Sequence, residues 1–360
     1  MTIPSLKLLF LSTPVGPLGT GLGGGVELTL FNLAQELTRR GHQVQVLAPE
    51  GSAMGNLKIQ TVPGNLQITA QTQGRAAAIA MPPQSVLAEM WATAHRVQSD
   101  YDLLVNFAYD WLPFYLTPFF QRPIAHLVSM GSLTEAMDEA IERVIERYPG
   151  TIGVHSQAQA ATFRFGDRCR RLANGLDLAI YEFCAKPQPT LGWVGRIAPE
   201  KGLEDAIAAA AQAPLPLKVW GAMPEPDYWQ QIQAAYPQAQ VDYQGFVSTQ
   251  TLQQGLRHCQ GLLMTPKWVE AFGNVAIEAL ACGVPVIAYR RGGPAEIVRH
   301  GQTGWLVEPD HVEGLVEAIA RLNQIDRAAC RQSAELEYSM TAMGDRVEAW
   351  LRDILPNPFS

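Results

Sequence analysis

Charged side chains are scarce in this chain, and long uninterrupted apolar runs are missing from it. Only 17% of the 360 residues are charged, and the net charge is −7. A general nucleic-acid-binding protein carries a basic surplus, so that class is disfavoured. A membrane-spanning helix needs a run of about 18 apolar residues, and none occurs. The apolar run at residues 7–11 is too short for a secretory signal and fits a buried strand.

Cysteines are few and do not follow a recognisable pairing pattern. The five are Cys169, Cys184, Cys259, Cys282 and Cys330, and none forms a C-x-x-C pair. An odd number without a secretory signal predicts reduced thiols and a cytoplasmic protein. No His, Cys or Asp cluster has metal-ligand spacing, so we expect no metal site and no cofactor.

The chain is rich in short apolar runs that alternate with longer amphipathic stretches. The runs predict strands at residues 7–12, 43–47, 102–107, 124–128, 151–155, 190–194, 217–220, 241–245, 261–265, 284–288 and 304–307. The stretches predict helices at 26–40, 83–98, 133–147, 157–165, 203–212, 249–257, 274–281, 312–323 and 341–355. Strands separated by helices of this length indicate βαβ units and a parallel sheet.

The length indicates more than one domain, because a single core rarely grows beyond about 250–300 residues. A segment with two prolines, A-K-P-Q-P at residues 185–189, is a plausible linker. We therefore predict an α/β fold of two Rossmann-like, doubly wound parallel-sheet domains, residues 1–185 and 186–340, facing across a cleft. Ligands of such sheets bind beyond the carboxyl ends of the strands.

A glycine-rich loop follows the first predicted strand. It reads G-T-G-L-G-G-G-V-E at residues 19–27, and Gly19, Gly21 and Gly24 satisfy G-x-G-x-x-G. Glycines allow a ligand to approach the backbone, and a helix start offers N–H donors. The loop is longer than that of a dinucleotide fingerprint. An NAD-dependent dehydrogenase and a plain surface loop are the alternatives for this motif.

Two cations follow the first strand of the second half. In G-R-I-A-P-E-K-G, residues 195–202, Arg196 offers a fork and Lys201 a point charge to an anionic group. A solvated charged turn is the alternative.

Two glutamates, Glu270 and Glu278, lie in an E-x7-E pattern around F-G-N at residues 272–274. If Glu270 lies in a loop and Glu278 on the following helix, the helix start faces a diphosphate and the carboxylates accept hydrogen bonds from sugar hydroxyls. Two surface glutamates are the alternative.

These motifs together resemble family 4 glycosyltransferases. The resemblance rests on the segments at residues 193–202, 266–274, 278–288, 292–296 and 301–307, and also on G-G-V-E at 24–27, L-T-R-R-G-H at 37–42 and N-G-L-D at 174–177. It spans nearly the whole chain. It implies the GT-B fold, retaining transfer without an essential metal, and a final helix, about residues 341–355, that packs back on the N-terminal domain.

The resemblance also implies roles for individual residues. Arg196 and Lys201 would neutralise the donor diphosphate, Glu270 would contact donor-sugar hydroxyls, and Glu278 the ribose. The backbone of Phe272, Gly273 and Asn274, with Gly24 and Gly25 of the first loop, would complete the donor site. Residues 186–340 would form the nucleotide-sugar-binding domain, and residues 1–185 the acceptor side.

One departure concerns the acceptor side. Ser129 stands where the family often has a histidine, and His126 lies three residues earlier inside the predicted strand, where a core histidine is the alternative. We predict Glu27, Tyr109, His126 and Ser129 as acceptor-binding residues. The segment at residues 12–27 is similar to cyanobacterial transferases that glucosylate a reduced pterin such as tetrahydrobiopterin. Aromatic residues that could stack on a flat heterocycle, or equally fill the core, are Trp91, Phe107, Tyr109 and Trp111.

The sequence thus predicts a retaining enzyme that moves a hexose, expected to be glucose, from a UDP-sugar to a small-molecule acceptor. The partners are the nucleotide-sugar donor and that acceptor, with no nucleic acid. A lipid or saccharide acceptor, a non-catalytic sugar-nucleotide sensor, and the dehydrogenase remain as alternatives.

Overall fold

The computed structural model describes residues 5–70 and 74–355, and the chain divides into two compact units. The first unit joins Met1–Gly175 to Met340–Ser360, and the second holds Leu176–Ser339. Each unit contains one sheet in which every strand pair is parallel, with helices between most successive strands. The predicted α/β class with two doubly wound parallel sheets is confirmed.

The first unit has a seven-stranded sheet in the order β3-β2-β1-β4-β5-β6-β7. Its strands are β1 (Lys7–Leu11), β2 (Gln43–Pro49), β3 (Ile59–Val62), β4 (Leu103–Asn106), β5 (Ile124–Leu127), β6 (Ile152–Val154) and β7 (Arg170–Arg171). Its first helices are α1 (Gly25–Arg39), α2 (Val86–Val97), α3 (Trp111–Leu116), α4 (Glu135–Arg147) and α5 (Gln157–Ala160). The order of strands reverses between β1 and β4, so the topological switch point of this sheet lies between these two strands.

Both faces of the first sheet are buried, because alternate residues of a strand point to opposite faces. Leu8 and Phe10 of β1 join the core under α1, whereas Leu9 and Leu11 join the core under α2. All four side chains are fully buried. A strand covered on both sides shows a continuous apolar run, which explains the sequence K-L-L-F-L.

The second unit has a six-stranded sheet in the order β10-β9-β8-β11-β12-β13. Its strands are β8 (Leu191–Val194), β9 (Leu217–Trp220), β10 (Val241–Gly245), β11 (Gly261–Met264), β12 (Val286–Tyr289) and β13 (Gly304–Val307). Its helices are α6 (Leu203–Gln212), α7 (Pro226–Ala235), α8 (Thr249–Leu256), α9 (Asn274–Ala281), α10 (Pro294–Ile297), α11 (Val312–Ala320) and α12 (Arg327–Glu337). Here the switch point lies between β8 and β11.

The last helix, α13 (Met340–Ile354), belongs to the first unit, where it packs against α1. The Arg40 guanidinium pairs with Glu36 at 2.8 Å and with Glu348 of α13 at 2.8 Å. The indole of Trp350 donates to the Gly150 carbonyl at 2.6 Å and is 1% exposed. Charged and apolar contacts therefore both hold this late segment on the first sheet.

The boundary between the units differs from the predicted junction at residue 185. The structure divides the chain after Gly175, and the proline-containing segment at residues 185–189 runs along the second unit. The Cys184 amide donates to Cys282 O at 3.2 Å, and the Gln188 amide to His258 O at 2.8 Å. These hydrogen bonds hold the segment against the second unit, so it is packed coil rather than a free linker.

Several elements have no counterpart in the sequence prediction. Strand β3 is half-exposed at a sheet edge, and helix α7 is mostly exposed, so neither carries a strong apolar period. Helix α12 buries mainly Arg327, Cys330, Ser333 and Ala334, a face of polar and small residues. Apolar periodicity is a weak signal for such elements.

Candidate functional site

Three neighbouring strands of the second sheet, β8, β11 and β12, end at one edge and bring their loops together. The Lys267 amide donates to Glu200 O at 2.9 Å, which joins the β8 and β11 loops. The Gly293 amide donates to Glu270 O at 2.8 Å, which joins the β11 and β12 loops. Cross-linked loops on rigid strand ends hold side chains precisely, as a binding site requires.

Glycine is required where the β8 and β11 loops touch. Gly202 has φ 63°, and a Cβ there would lie 2.1 Å from the Thr265 carbonyl oxygen. The Thr265 hydroxyl donates to Gly202 O at 2.7 Å and so closes the contact. The last glycine of G-R-I-A-P-E-K-G therefore serves close approach of two loops.

The structure brings Lys201 and Glu270 together. Their Nζ and Oε2 atoms form an ion pair, and both side chains are about one-fifth exposed. The Trp268 indole N–H donates to the same Oε2 at 3.1 Å, and Lys201 Nζ lies 4.9 Å from the Trp268 ring centroid. Lys201, Trp268 and Glu270 thus form one cluster, in which a cation faces both a carboxylate and an aromatic ring.

Arg196 lies on the same loop as Lys201 and pairs with Glu200. Its side chain is 31% exposed, so it is partly accessible to solvent. Both predicted cations thus lie at the carboxyl end of β8 and are paired with carboxylates.

A second ionic network under the β11 loop was missed by the sequence analysis. Lys267 pairs with Asp205 of α6 and lies 3.2 Å from Asp310. Tyr289 donates to Asp205 at 2.5 Å, and Arg291 donates to the Pro266 carbonyl at 2.8 Å. These contacts fix the loop that carries Glu270. The signal for Lys267 and Trp268 was their position between a strand end and the first glutamate of E-x7-E.

The start of α9 lies beside this cluster. Gly273, with φ 94°, precedes the helix, and Asn274 is its first residue. Phe272 is 6% exposed and packs edge-on against Tyr338, with ring centroids 6.1 Å apart. Phe272, Gly273 and Asn274 therefore form a rigid loop-to-helix junction with a partial positive charge at the helix start.

Glu278 lies on α9, one turn after Asn274, and is buried, with 7% of its surface exposed. Burial raises the pKa of Glu278 to about 7. The Tyr181 hydroxyl lies beside it and opposes this rise, although the two groups do not reach the geometry of a full hydrogen bond. Glu270 is accessible, whereas Glu278 is a desolvated carboxyl group.

In the first unit, the glycine-rich loop folds around Glu27. Gly19 and Gly21 amides donate to Glu27 Oε2 at 2.8 and 3.2 Å, and the Gly23 amide to Oε1 at 2.6 Å. Glu27 is 3% exposed. Both carboxylate oxygens are therefore directed into the loop, and the role of Glu27 in acceptor binding stays a prediction. In a dinucleotide-binding fingerprint these amides face a pyrophosphate instead. The loop therefore does not support the dehydrogenase alternative.

Gly24 and Gly25 are the exposed residues where this loop becomes helix α1. Gly24 has φ 58° and ψ −139°, and nothing lies within 4 Å of a Cβ placed on it. Its amide donates to Gly21 O at 3.0 Å, so it is already satisfied. The backbone is open to a ligand here, and Gly25 is the first helical residue.

The other three predicted acceptor-binding residues, His126, Tyr109 and Ser129, differ in burial and contacts. His126 is 0% exposed, its ring nitrogens contact Asn106 at 3.2 Å and Thr117 at 3.0 Å, and burial lowers its pKa to about 3. His126 therefore lies in the core, as the alternative interpretation expects, and its role in acceptor binding stays a prediction. Tyr109 donates to Gly131 O at 3.1 Å, and burial raises its pKa. Ser129 is partly exposed just after β5 and stays a prediction.

The aromatic candidates also separate by burial. Trp91 and Phe107 are 0% and 1% exposed and pack in the core, so neither stacks on a ligand. Trp111 is partly exposed and stacks on Tyr115, with ring centroids 4.4 Å apart.

Within residues 5–70 and 74–355, no group of three or more His, Cys, Asp or Glu side chains is arranged to hold a metal ion. Over the same ranges, no helix has the length and apolar character needed to cross a bilayer.

Two doubly wound parallel-sheet units, one with Arg196 and Lys201 on the loop after β8 at its switch point, define an α/β protein with the GT-B fold. The model of the Glycosyltransferase Family 4 matches residues 23–180, and the model of the Glycosyl transferases group 1 matches residues 183–336. Together they cover most of the chain, which belongs to these GT-B glycosyltransferases.

Curated relatives support the same class over part of the chain. The 2-deoxystreptamine N-acetyl-D-glucosaminyltransferase of Niallia circulans is 35% identical over 146 residues, 39% of this chain and 37% of that protein. The D-inositol 3-phosphate glycosyltransferase of Rhodococcus erythropolis is 32% identical over 208 residues, 52% and 45% of the two chains. The matched stretch spans less than half the length of each relative.

Solved structures match over nearly the full length. Anabaena HepE in complex with UDP and glucose has a TM-score of 0.77 at 20% identity, covering 96% of this chain and 99% of HepE. The sucrose-phosphate synthase of Thermosynechococcus elongatus has a TM-score of 0.76 at 20% identity, covering 97% and 99%. At this identity the likeness establishes the fold.

Proposed function

We propose that the protein transfers glucose from UDP-glucose to a small-molecule acceptor with retention of configuration. The observation that supports this most directly is the cluster of Lys201, Trp268 and Glu270 beside Arg196 at the end of β8. In this cluster and on the same loop, cations of the kind that bind a diphosphate lie near a carboxylate of the kind that accepts hydrogen bonds from sugar hydroxyls. The HepE complexes contain UDP and glucose on the same fold, which makes this donor the first to test.

In this proposal the second unit binds the donor. Arg196 and Lys201 bind the diphosphate, the start of α9 at Gly273 faces a phosphate oxygen, and Glu270 accepts hydrogen bonds from the sugar. Glu278 accepts from the ribose. Fixed charges of this kind stabilise the leaving group without reorganising during the reaction.

The chemical step breaks the bond between the anomeric carbon and the diphosphate oxygen. The acceptor oxygen bonds to that carbon from the same face, which retains the configuration, and the acceptor proton leaves with the diphosphate. Negative charge grows on the diphosphate as the bond breaks. Arg196 and Lys201 therefore act mainly in the transition state.

For the acceptor, we propose a reduced pterin bound by the first unit. Trp111 supplies an aromatic face, and the neighbouring Asp110 carboxylate, which accepts from Gln67 at 3.0 Å, matches the N–H groups of a pterin edge. A cytoplasmic location and independence of added metal belong to the same proposal.

The decisive experiment incubates the purified full chain with UDP-glucose and a panel containing tetrahydrobiopterin, simple saccharides and a lipid acceptor. Release of UDP together with a glucosylated pterin in the mass spectrum supports the proposal. A glucosylated saccharide or lipid refutes the acceptor and keeps the enzyme. UDP binding without release with any acceptor supports a sensor. The anomeric coupling constant of the product tests retention.

A further inference from the structure

We infer that Glu27 is a positioning residue for the reaction, an internal anion that holds the glycine-rich loop and thereby the start of α1. The inference rests on the proposed function only for its effect on turnover. It assigns Glu27 no contact with either substrate.

The geometry of the carboxylate supports this role. Three loop amides, of Gly19, Gly21 and Gly23, donate to its two oxygens at 2.6 to 3.2 Å. No cation lies within ion-pair distance of Glu27 in the described part of the chain. The charge is therefore balanced by backbone N–H groups and by the partial positive charge at the start of α1.

The glycines of the loop are explained by this same packing. A Cβ on Gly23 would lie 2.8 Å from Glu27 Cγ, and one on Gly19 would lie 2.2 Å from the Ala53 carbonyl oxygen. Gly19 and Gly21 also have φ of 92° and 80°. The loop thus wraps around the carboxylate, in a backbone conformation that other residues rarely adopt.

The loop leads directly into the exposed helix start. Gly24 follows Gly23 and donates its amide to Gly21 O, so the position of the loop sets the position of Gly24 and Gly25. Without the carboxylate, three N–H groups in a glycine-rich segment lose their acceptor, and the loop gains conformations. A displaced helix start lowers the rate because substrate groups are then misplaced.

The test uses Glu27→Gln and Glu27→Ala in the full chain, with the exposed Glu50→Ala as the matched control. The first readout, hydrogen exchange, needs no activity. We expect the amides of Gly19, Gly21 and Gly23 to exchange at least 10-fold faster in Glu27→Ala. Added formate, which is small enough to occupy the vacated position, should restore protection. Unchanged exchange rates would overturn the inference, whatever the enzyme does.

The second readout is UDP release from UDP-glucose. We expect kcat/KM to fall about 10- to 100-fold in both variants, as for a modest misplacement of substrate groups. Formate should rescue Glu27→Ala in a saturable manner and leave Glu50→Ala unchanged. A purely structural role predicts a lower melting temperature with wild-type kcat and KM per folded molecule, and that result refutes the inference. If the wild type releases no UDP, the proposed function fails. The hydrogen-exchange rates then still show whether Glu27 holds the glycine-rich loop in place.

Discussion

Replacing the buried Glu278 by Gln should stabilise the ligand-free second unit at alkaline pH and leave it little changed at acid pH. Burial raises the pKa of Glu278 from 4.5 to about 7 in the folded protein. The folded state therefore holds this proton more tightly than the unfolded state. The unfolding free energy of the wild type consequently falls as pH rises from about 4.5 to about 7 and is level above that.

The size of the effect follows from the pKa difference. A rise of about 2.5 units, at about 1.4 kcal/mol per unit, corresponds to about 3 kcal/mol. Gln resembles the protonated carboxyl group in shape and does not titrate. The stability of Glu278→Gln relative to wild type should therefore increase by about 3 kcal/mol between pH 4.5 and pH 8, an order-of-magnitude figure.

Urea unfolding of the full chain, read by brief proteolysis and mass spectrometry of second-unit peptides, measures this difference. The exposed Glu317→Gln serves as the control, for which we expect parallel curves. The assignment of a pKa raised by desolvation would be refuted if the curves of unfolding free energy against pH were also parallel for Glu278→Gln and wild type. It would likewise be refuted if the wild type became more stable relative to the variant as pH rises.

The same reasoning extends to the donor. If ribose hydroxyls donate to Glu278, they favour its ionised form, so UDP binding lowers the pKa of this group. Binding near pH 6 should then release protons in the wild type and fewer in Glu278→Gln. Calorimetry in buffers of different ionisation enthalpy measures the number released. Equal release by the two proteins would place the ribose elsewhere.

Further predictions concern Arg196 and the cluster of Lys201, Trp268 and Glu270. Arg196→Ala and Lys201→Ala should each lower kcat with saturating UDP-glucose about 10²- to 10³-fold. Arg196→Lys should keep only part of the wild-type activity, because Lys lacks the forked guanidinium of Arg. Wild-type rates in both Ala variants would show that the diphosphate binds elsewhere. Trp268→Phe keeps the ring but removes the indole donor to Glu270, so kcat/KM should fall about 10-fold, whereas no change in steady-state kinetics would mean that Glu270 is held without it. Activity should survive EDTA, since Arg196 and Lys201 supply the positive charge; loss on chelation that added metal reverses would contradict this.

Much of the fold could be predicted from the sequence because buried parallel strands leave continuous apolar runs. The run at β1 and the similar runs at β11 and β12 have no polar alternation, since both faces of each strand are covered. Strand β3 and helix α7 were missed because they lie at exposed edges, where polar side chains interrupt any period.

The position of the proposed donor-binding residues at strand ends was predictable because a strand end, a glycine and a charge coincide in short motifs. Contacts between distant segments were not. The bond from Trp268 to Glu270 and the enclosure of His126 by Asn106 and Thr117 depend on side-chain directions that spacing does not encode. Glu27 shows the same limit, because its motif predicts a loop for a ligand but not that the loop's own carboxylate occupies it.

The path of the chain has a consequence for how the protein folds as it is synthesised. The first unit needs α13, whose Trp350 and Met343 fill the core shared with β1. A ribosome must therefore finish the whole second unit before the first can close its core. Until then the surface of the first unit that later receives Glu348 and Trp350 is uncovered, and an emerging chain with exposed apolar surface is prone to aggregate. The second unit, which is continuous from Leu176 to Ser339, carries no such dependence and is free to fold first.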